Sequence, residues 1–258
     1  MRWAGNRFFR LVILSVGIAA IAFAALILIL WLLPPNVADL TAHNPQKTAM
    51  MVYREAQFSK KTGKRLWRNQ TWIPLSRISP KLITAVIIAE DDKFFQHGGF
   101  DFDGMREAFE KDIQSGRIVG GGSTITQQLA KNLYLKPARN PVRKIREAVI
   151  AFKLNRRLKK SRILELYLNV IEWGRGIYGA EAASGAYYGK SCSDLTAEEA
   201  VRLATVLPNP IVFTPEDDRY NRMRKKRSIV SQLMVKRKQM TEEEFQALVS
   251  DLDSAGRR

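Results

Sequence analysis

Hydrophobic and polar positions divide this chain sharply near residue 34. Leu11 to Leu33 reads LVILSVGIAAIAFAALILILWLL, 23 residues without a charge, and about 20 apolar residues suffice to span a bilayer core as a helix. A signal peptide is the competing reading, but its apolar region runs only about 7–15 residues. Ala22-Phe23-Ala24 resembles a cleavage site yet lies inside the run, so the pattern predicts an uncleaved anchor. Residues 36–75 read as a stalk and entry segment. Within it, Thr48 to Phe58 has strand character through Met50, Val52 and Tyr53, and Lys60-Lys61-Thr62-Gly63-Lys64 reads as a basic turn.

From Ser79 the spacing is helical almost to the end. Ser79-Pro80 is a helix start, followed by Leu82, Ile83, Val86 and Ile87 on one face. Asn140-Pro141 repeats that start, with Ile145, Ala148, Val149 and Phe152 as the apolar stripe. Thr196 to Glu199 and Thr241 to Glu244 are capping boxes. No useful strand alternation follows residue 80. The predicted organisation is a tail (1–10), a transmembrane helix (11–33), a stalk (34–75), a mainly α-helical exported domain (76–250) and a short tail (251–258).

Charge orients this layout. Arg2, Arg7 and Arg10 precede the span and no acidic residue does, so the positive-inside rule keeps the N-terminus in the cytoplasm. The chain carries 42 Lys+Arg against 25 Asp+Glu, a net +17. Such charge suits a solvated surface, anionic lipid headgroups or a phosphorylated substrate. Nucleic acid would also suit it, but export away from the genome argues against nucleic acid as a partner. One cysteine, Cys192, excludes an internal disulfide framework and a Cys-cluster zinc site. Two histidines, His43 and His97, leave little room for a His-based metal site.

Four segments can carry chemistry. In Ala89 to Asp101, Glu90 lies four residues beyond Val86 and three beyond Ile87, so it shares or borders a buried face. A carboxylate there suits a general base or acid, or a helix-end salt bridge; His97 beside Gly98-Gly99 reads as a turn stabiliser. In Val119 to Asn132, three glycines precede Ser123-Thr124 at a helix start, which suits either a flexible loop or an anion site. Gln127 and Lys131 share one face of that helix. In Arg139 to Glu147, Arg143 and Lys144 flank Glu147 within one turn, as a surface ion pair or as part of a diphosphate clamp. Lys160 to Gly189 runs from ILELYLN into a stretch of Gly and Ala that reads as close helix packing, and the basic run Arg222 to Arg227 reads as solvated or lipid-facing.

Taken in order, EDDKFFQHGGFD, GGSTITQQLAKNLYL, RKIREAVIAFKLNRRL and ILELYLNVIEWGRGIYGAEAASGAYYGK, then Leu207-Pro-Asn-Pro210, resemble the glycosyltransferase domain of peptidoglycan polymerases. The monofunctional biosynthetic peptidoglycan transglycosylase is the nearest member type: the chain ends soon after the motifs, and no Ser has Lys three positions later, so the S-x-x-K acylation motif of a transpeptidase is absent. The resemblance implies a lysozyme-like, two-lobed helical fold with a hydrophobic jaw on the membrane. It implies lipid II and the growing glycan strand as partners, an inner (cytoplasmic) membrane location with a periplasmic catalytic domain, and division or elongation proteins as companions. By the same resemblance Glu90 is the general base on the acceptor 4-hydroxyl, and Glu147 is the second catalytic Glu near the donor diphosphate. Lys131 and Arg139 hold the diphosphate, with Arg143 and Lys144 in the same motif. Ser123, Thr124, Gln127, Gln128 and Asn132 line the cleft, and Arg227 matches a later basic residue on the donor side. No cofactor is required; a divalent cation, Mg or Mn, is expected at the diphosphate. A membrane-anchored glycan hydrolase and a non-catalytic cell-wall scaffold are the alternatives.

Overall fold

The computed structural model describes residues 2–32, 35–116, 122–138 and 140–255. Among these, eleven α-helices carry the architecture, as the periodicity predicts. Helix α1 (Arg2–Leu32) contains the apolar span, and its Phe9–Ile29 stretch is long and apolar enough to cross a membrane, with a mean hydropathy of 2.9. Helix α2 (Ala49–Thr62) replaces the expected strand: the Thr48 side chain caps its start and Gly63, at φ 70°, ends it in the left-handed region. Met50 and Met51 are buried beneath it. With Val37, Leu40 and Ile73 also buried, the segment read as a stalk is packed into the folded body.

Helices α3 (Pro80–Glu90), α4 (Phe102–Ser115), α5 (Ile125–Tyr134), α6 (Pro141–Arg157) and α7 (Lys160–Val170) follow. Pro80 opens α3, although the Ser79 side chain makes no capping bond. Helices α8 (Ala180–Tyr188), α9 (Ala197–Val206), α10 (Asn221–Lys236) and α11 (Glu242–Ala255) complete the chain. Both expected capping boxes form: Thr196 with Glu199, and Thr241 with Glu244.

The helices pack as two groups that share one continuous apolar core. Helix α3 lies on α9 and α10, with α11 behind α10; α5 lies on α2, α6 and α7. Three short strands sit beside the second group: β1 (Asn69–Gln70) pairs parallel with β3 (Ile177–Tyr178), which pairs antiparallel with β2 (Glu172–Gly174). The turn between β2 and β3 requires Gly176, at φ 76°, because a side-chain carbon there would collide with the Trp67 carbonyl.

Helix α6 is rotated relative to its expected stripe. Glu147, Ile150, Ala151 and Leu154 form its buried face, whereas Phe152 is exposed. Burial of a glutamate in place of a phenylalanine is the first structural sign that this helix serves a site, because a buried carboxylate needs compensating partners.

Candidate active site

Glu90 ends α3 at the seam between the two helix groups, its side chain 10% exposed. Gln128 Nε2, from α5, donates to Glu90 Oε2 at 2.9 Å, and Lys226 Nζ, from α10, donates to Oε1 at 3.0 Å. Glu90 thus forms the expected salt bridge and also, with Asp91, Asp101, Ser123 and Thr124, lines a cavity of about 230 Å³. Beyond Gln128, a second cavity of about 120 Å³ is lined by Arg54, Gln128, Lys131, Asn132, Tyr167 and Glu172. The carboxylate of Glu172 at its end is paired with Arg54 Nε at 2.8 Å, and burial raises its pKa against that pairing.

The helix start at Thr124 is less open than its glycines suggest. Thr124 and Gln127 cap α5 reciprocally, which uses the side chain expected to line the cleft beside Lys131. Asp91 Oδ2 accepts the Ile125 N–H at 2.9 Å, so an internal carboxylate already occupies the positive helix end. Asp91 Oδ1 lies 2.8 Å from His97 Nε2, while the Gly99 N–H donates to His97 Nδ1 at 3.1 Å. The imidazole therefore carries its proton on Nε2 and stabilises the turn. Residues 117–121, including Gly120 and Gly121, lie outside the described residues.

The cationic end of the site is built on α5 and α6. Glu147 is 3% exposed; Arg143 Nη1 donates to it at 2.6 Å and Lys144 Nζ donates to its other oxygen. Arg143 Nε also donates to the Ala138 carbonyl at 2.7 Å, and Lys144 Nζ to Ser123 Oγ at 3.2 Å, which ties α6 to the entry of α5. Lys131 is the contrasting cation: burial lowers its pKa, attraction to Glu147 and Glu90 raises it, and repulsion from Arg143 and Lys144 lowers it further. Its ammonium lies within the field of both glutamates, yet makes no hydrogen bond or ion pair among the described residues. Arg139 lies outside the described residues. Asn132 lines the second cavity and donates from Nδ2 to the Gln128 carbonyl at 2.8 Å.

Arg227 is not brought to this cleft. It is fully buried, paired with Asp218, and donates to Thr205 Oγ1 and the Thr214 carbonyl, both at 3.3 Å. Its neighbour Lys226 is the cation that reaches Glu90. The basic run Arg222–Arg227 hid this residue, but a signal existed: Met223, Val230 and Met234 mark a buried stripe, and Lys226 borders it three residues beyond Met223. Tyr167 and Asp91 are two further residues whose place here the spacing alone did not reveal.

The Transglycosylase family profile matches residues 56–235. The chain is 51% identical over 197 residues to a biosynthetic peptidoglycan transglycosylase of Azoarcus sp. (strain BH72), covering 75% of this chain and 84% of that one. To its namesake from Thiobacillus denitrificans it is 44% identical over 229 residues, 89% and 93% of the two chains. A Methylobacillus flagellatus protein of the same name is 46% identical over 191 residues, 74% and 83%. The matched span takes in Glu90, Lys131, Glu147 and Lys226, and the chain belongs to the transglycosylase family, with the biosynthetic peptidoglycan transglycosylases as its relatives.

Proposed function

We propose that this membrane-anchored peptidoglycan glycosyltransferase polymerises lipid II, an undecaprenyl diphosphate bearing a disaccharide-pentapeptide, into β-1,4-linked glycan strands. One observation carries the reading: two glutamates with different partners both act on Lys131, a half-buried lysine with no partner among the described residues. Glu90 opens on a cavity and is positioned to accept a proton. Glu147 holds Arg143 and Lys144, and Lys131, without a partner among the described residues, is available to an anion.

The acceptor 4-hydroxyl attacks the donor anomeric carbon from the face opposite the diphosphate. As the new carbon–oxygen bond forms, the bond to diphosphate breaks and the hydroxyl proton passes to Glu90. Lys131 and the Arg143–Lys144 pair, with Arg139, hold the charge that develops on the departing undecaprenyl diphosphate; fixed charges aimed at developing charge act most strongly where water is excluded. A single displacement converts an α-linked donor into a β-link. Glu147 keeps the clamp in place, because its buried carboxylate holds two neighbouring cations that would otherwise repel each other.

The residues present do not fit a metal held by the protein. Both oxygens of Glu147 are engaged by cations, and no group of three metal-ligating side chains occurs among the described residues. A divalent cation would arrive with the diphosphate.

Arg2, Arg7 and Arg10 ahead of the apolar span support an N-terminus inside and a catalytic domain outside, and two apolar surfaces support a location at the cytoplasmic membrane. One is α1. The other is the face of α4, where Phe102, Met105, Phe109 and Ile113 are all exposed at the spacing of one helical stripe. This arrangement keeps the domain beside a lipid-borne donor.

Purified full-length protein incubated with labelled lipid II tests the reading. It is expected to yield polymer that a β-1,4-muramidase digests, with undecaprenyl diphosphate released in step. Free disaccharide-pentapeptide, or fragments cut from preformed cell wall, would indicate hydrolysis and contradict it.

A further inference from the structure

We infer that Tyr167 is a positioning residue for the transfer reaction, its buried hydroxyl locking the Gln128 amide in the one orientation that offers a donor to Glu90. The inference rests on Glu90 acting as the base. An ionised carboxylate only accepts hydrogen bonds, so the Gln128 atom 2.9 Å from Glu90 Oε2 must be the amide nitrogen. The amide oxygen then faces Tyr167, whose hydroxyl stands 3.0 Å from Gln128 Oε1. An amide oxygen cannot donate, so the tyrosine must.

The surroundings preserve that donor. Tyr167 is 1% exposed on α7, and burial, reinforced by Glu90 and Asp91, raises its pKa well above 10.0. Its proton is therefore retained throughout the neutral range. Asn132 binds the Gln128 backbone carbonyl and leaves the side-chain amide unconstrained. On the other carboxylate oxygen, Lys226 is a compact ammonium on a flexible stem, which supplies charge without fixing direction. The stiff arm holding Glu90 runs from α7 through α5 to the end of α3. Without the hydroxyl, the amide can turn its oxygen toward the carboxylate, where two acceptors repel and Glu90 swings from its place.

Tyr167→Phe in the full-length protein removes only the oxygen and keeps the ring. Loss of the donor to the Gln128 amide oxygen is expected to lower kcat about tenfold or more, with KM for lipid II within about twofold and a melting temperature lowered by only a few degrees. Because Tyr167 acts through Gln128, adding Tyr167→Phe to Gln128→Ala is expected to produce no further loss. Parental kcat in Tyr167→Phe, or losses that multiply in the double variant, would overturn the inference. Glu90→Gln assayed alongside separates the two readings. An inactive Glu90→Gln with multiplying losses removes only the role of Tyr167, whereas an active Glu90→Gln removes the base and this inference with it.

Discussion

Burial lowers the pKa of Lys131, and the attraction of Glu147 and Glu90 does not fully offset it. In the unfolded chain the same amine titrates near 10.5, so over the intervening range the unfolded state binds more protons. Stability contributed by this position therefore rises with pH through that window, and at neutral pH the buried ammonium is a net cost. On the proposed mechanism the cost has a use, since an ammonium without a partner among the described residues is available to a diphosphate. Lys131→Met is accordingly predicted to leave the melting temperature at pH 7 unchanged or higher, while lipid II turnover falls roughly a hundredfold. Thermal melting and turnover measured on the same preparation check this; a destabilised variant with normal turnover would place Lys131 in the framework instead. Residue spacing singled out Glu90, because a charge that interrupts an apolar stripe is legible; Glu147 and Lys131 were assigned to the site only through the family resemblance, since the expected stripe of α6 leaves Glu147 outside its buried face. Spacing did not separate Lys226 from Arg227, since adjacent cations on a helix differ only by the rotation that packing against α3 and α9 decides.

At the scale of elements, Asp91 joins three pieces of the site. Its carboxylate accepts the first N–H of α5, binds His97 and follows directly on Glu90 at the end of α3. Nearby, Lys160 at the start of α7 places Nζ 4.4 Å over the Phe94 ring without a hydrogen-bond partner among the described residues. Burial lowers the pKa of Lys160, and Asp91 raises it. Asp91→Ala removes two hydrogen bonds to a buried carboxylate, a loss of about 3 kcal/mol, or roughly 5–10 °C in melting temperature for a domain of this size. An unchanged melting temperature would show that other contacts hold the start of α5. Helix starts and capping boxes were readable because capping is local. The helix over 49–62 was not, since its β-branched and aromatic residues favour a strand until Met50 and Met51 are buried against α5. The rotation of α6 was hidden for a related reason: its most apolar stripe is not its core face, and α1 packs against this helix.

For the whole molecule, two helix groups meet where the chemistry is placed. Glu90 and Lys226 come from the α3–α9–α10 group, and Gln128, Lys131, Glu147 and Tyr167 from the α5–α6–α7 group. The apolar N-terminal helix and the helical character of the domain were evident from sequence because each rests on composition and period. The seam between the groups was not, since it depends on contacts such as that of Lys226 with Glu90, 136 positions apart. The central claim is that Glu90 takes the acceptor proton while the opposite group holds the diphosphate, so chemistry and donor binding should separate in a single variant. Glu90→Gln keeps the shape of the side chain and removes the base. Polymer formation from labelled lipid II, measured beside lipid II binding for the wild type and this variant, is predicted to show polymer lost and binding within about twofold. Polymer made at the wild-type rate by Glu90→Gln would contradict the account.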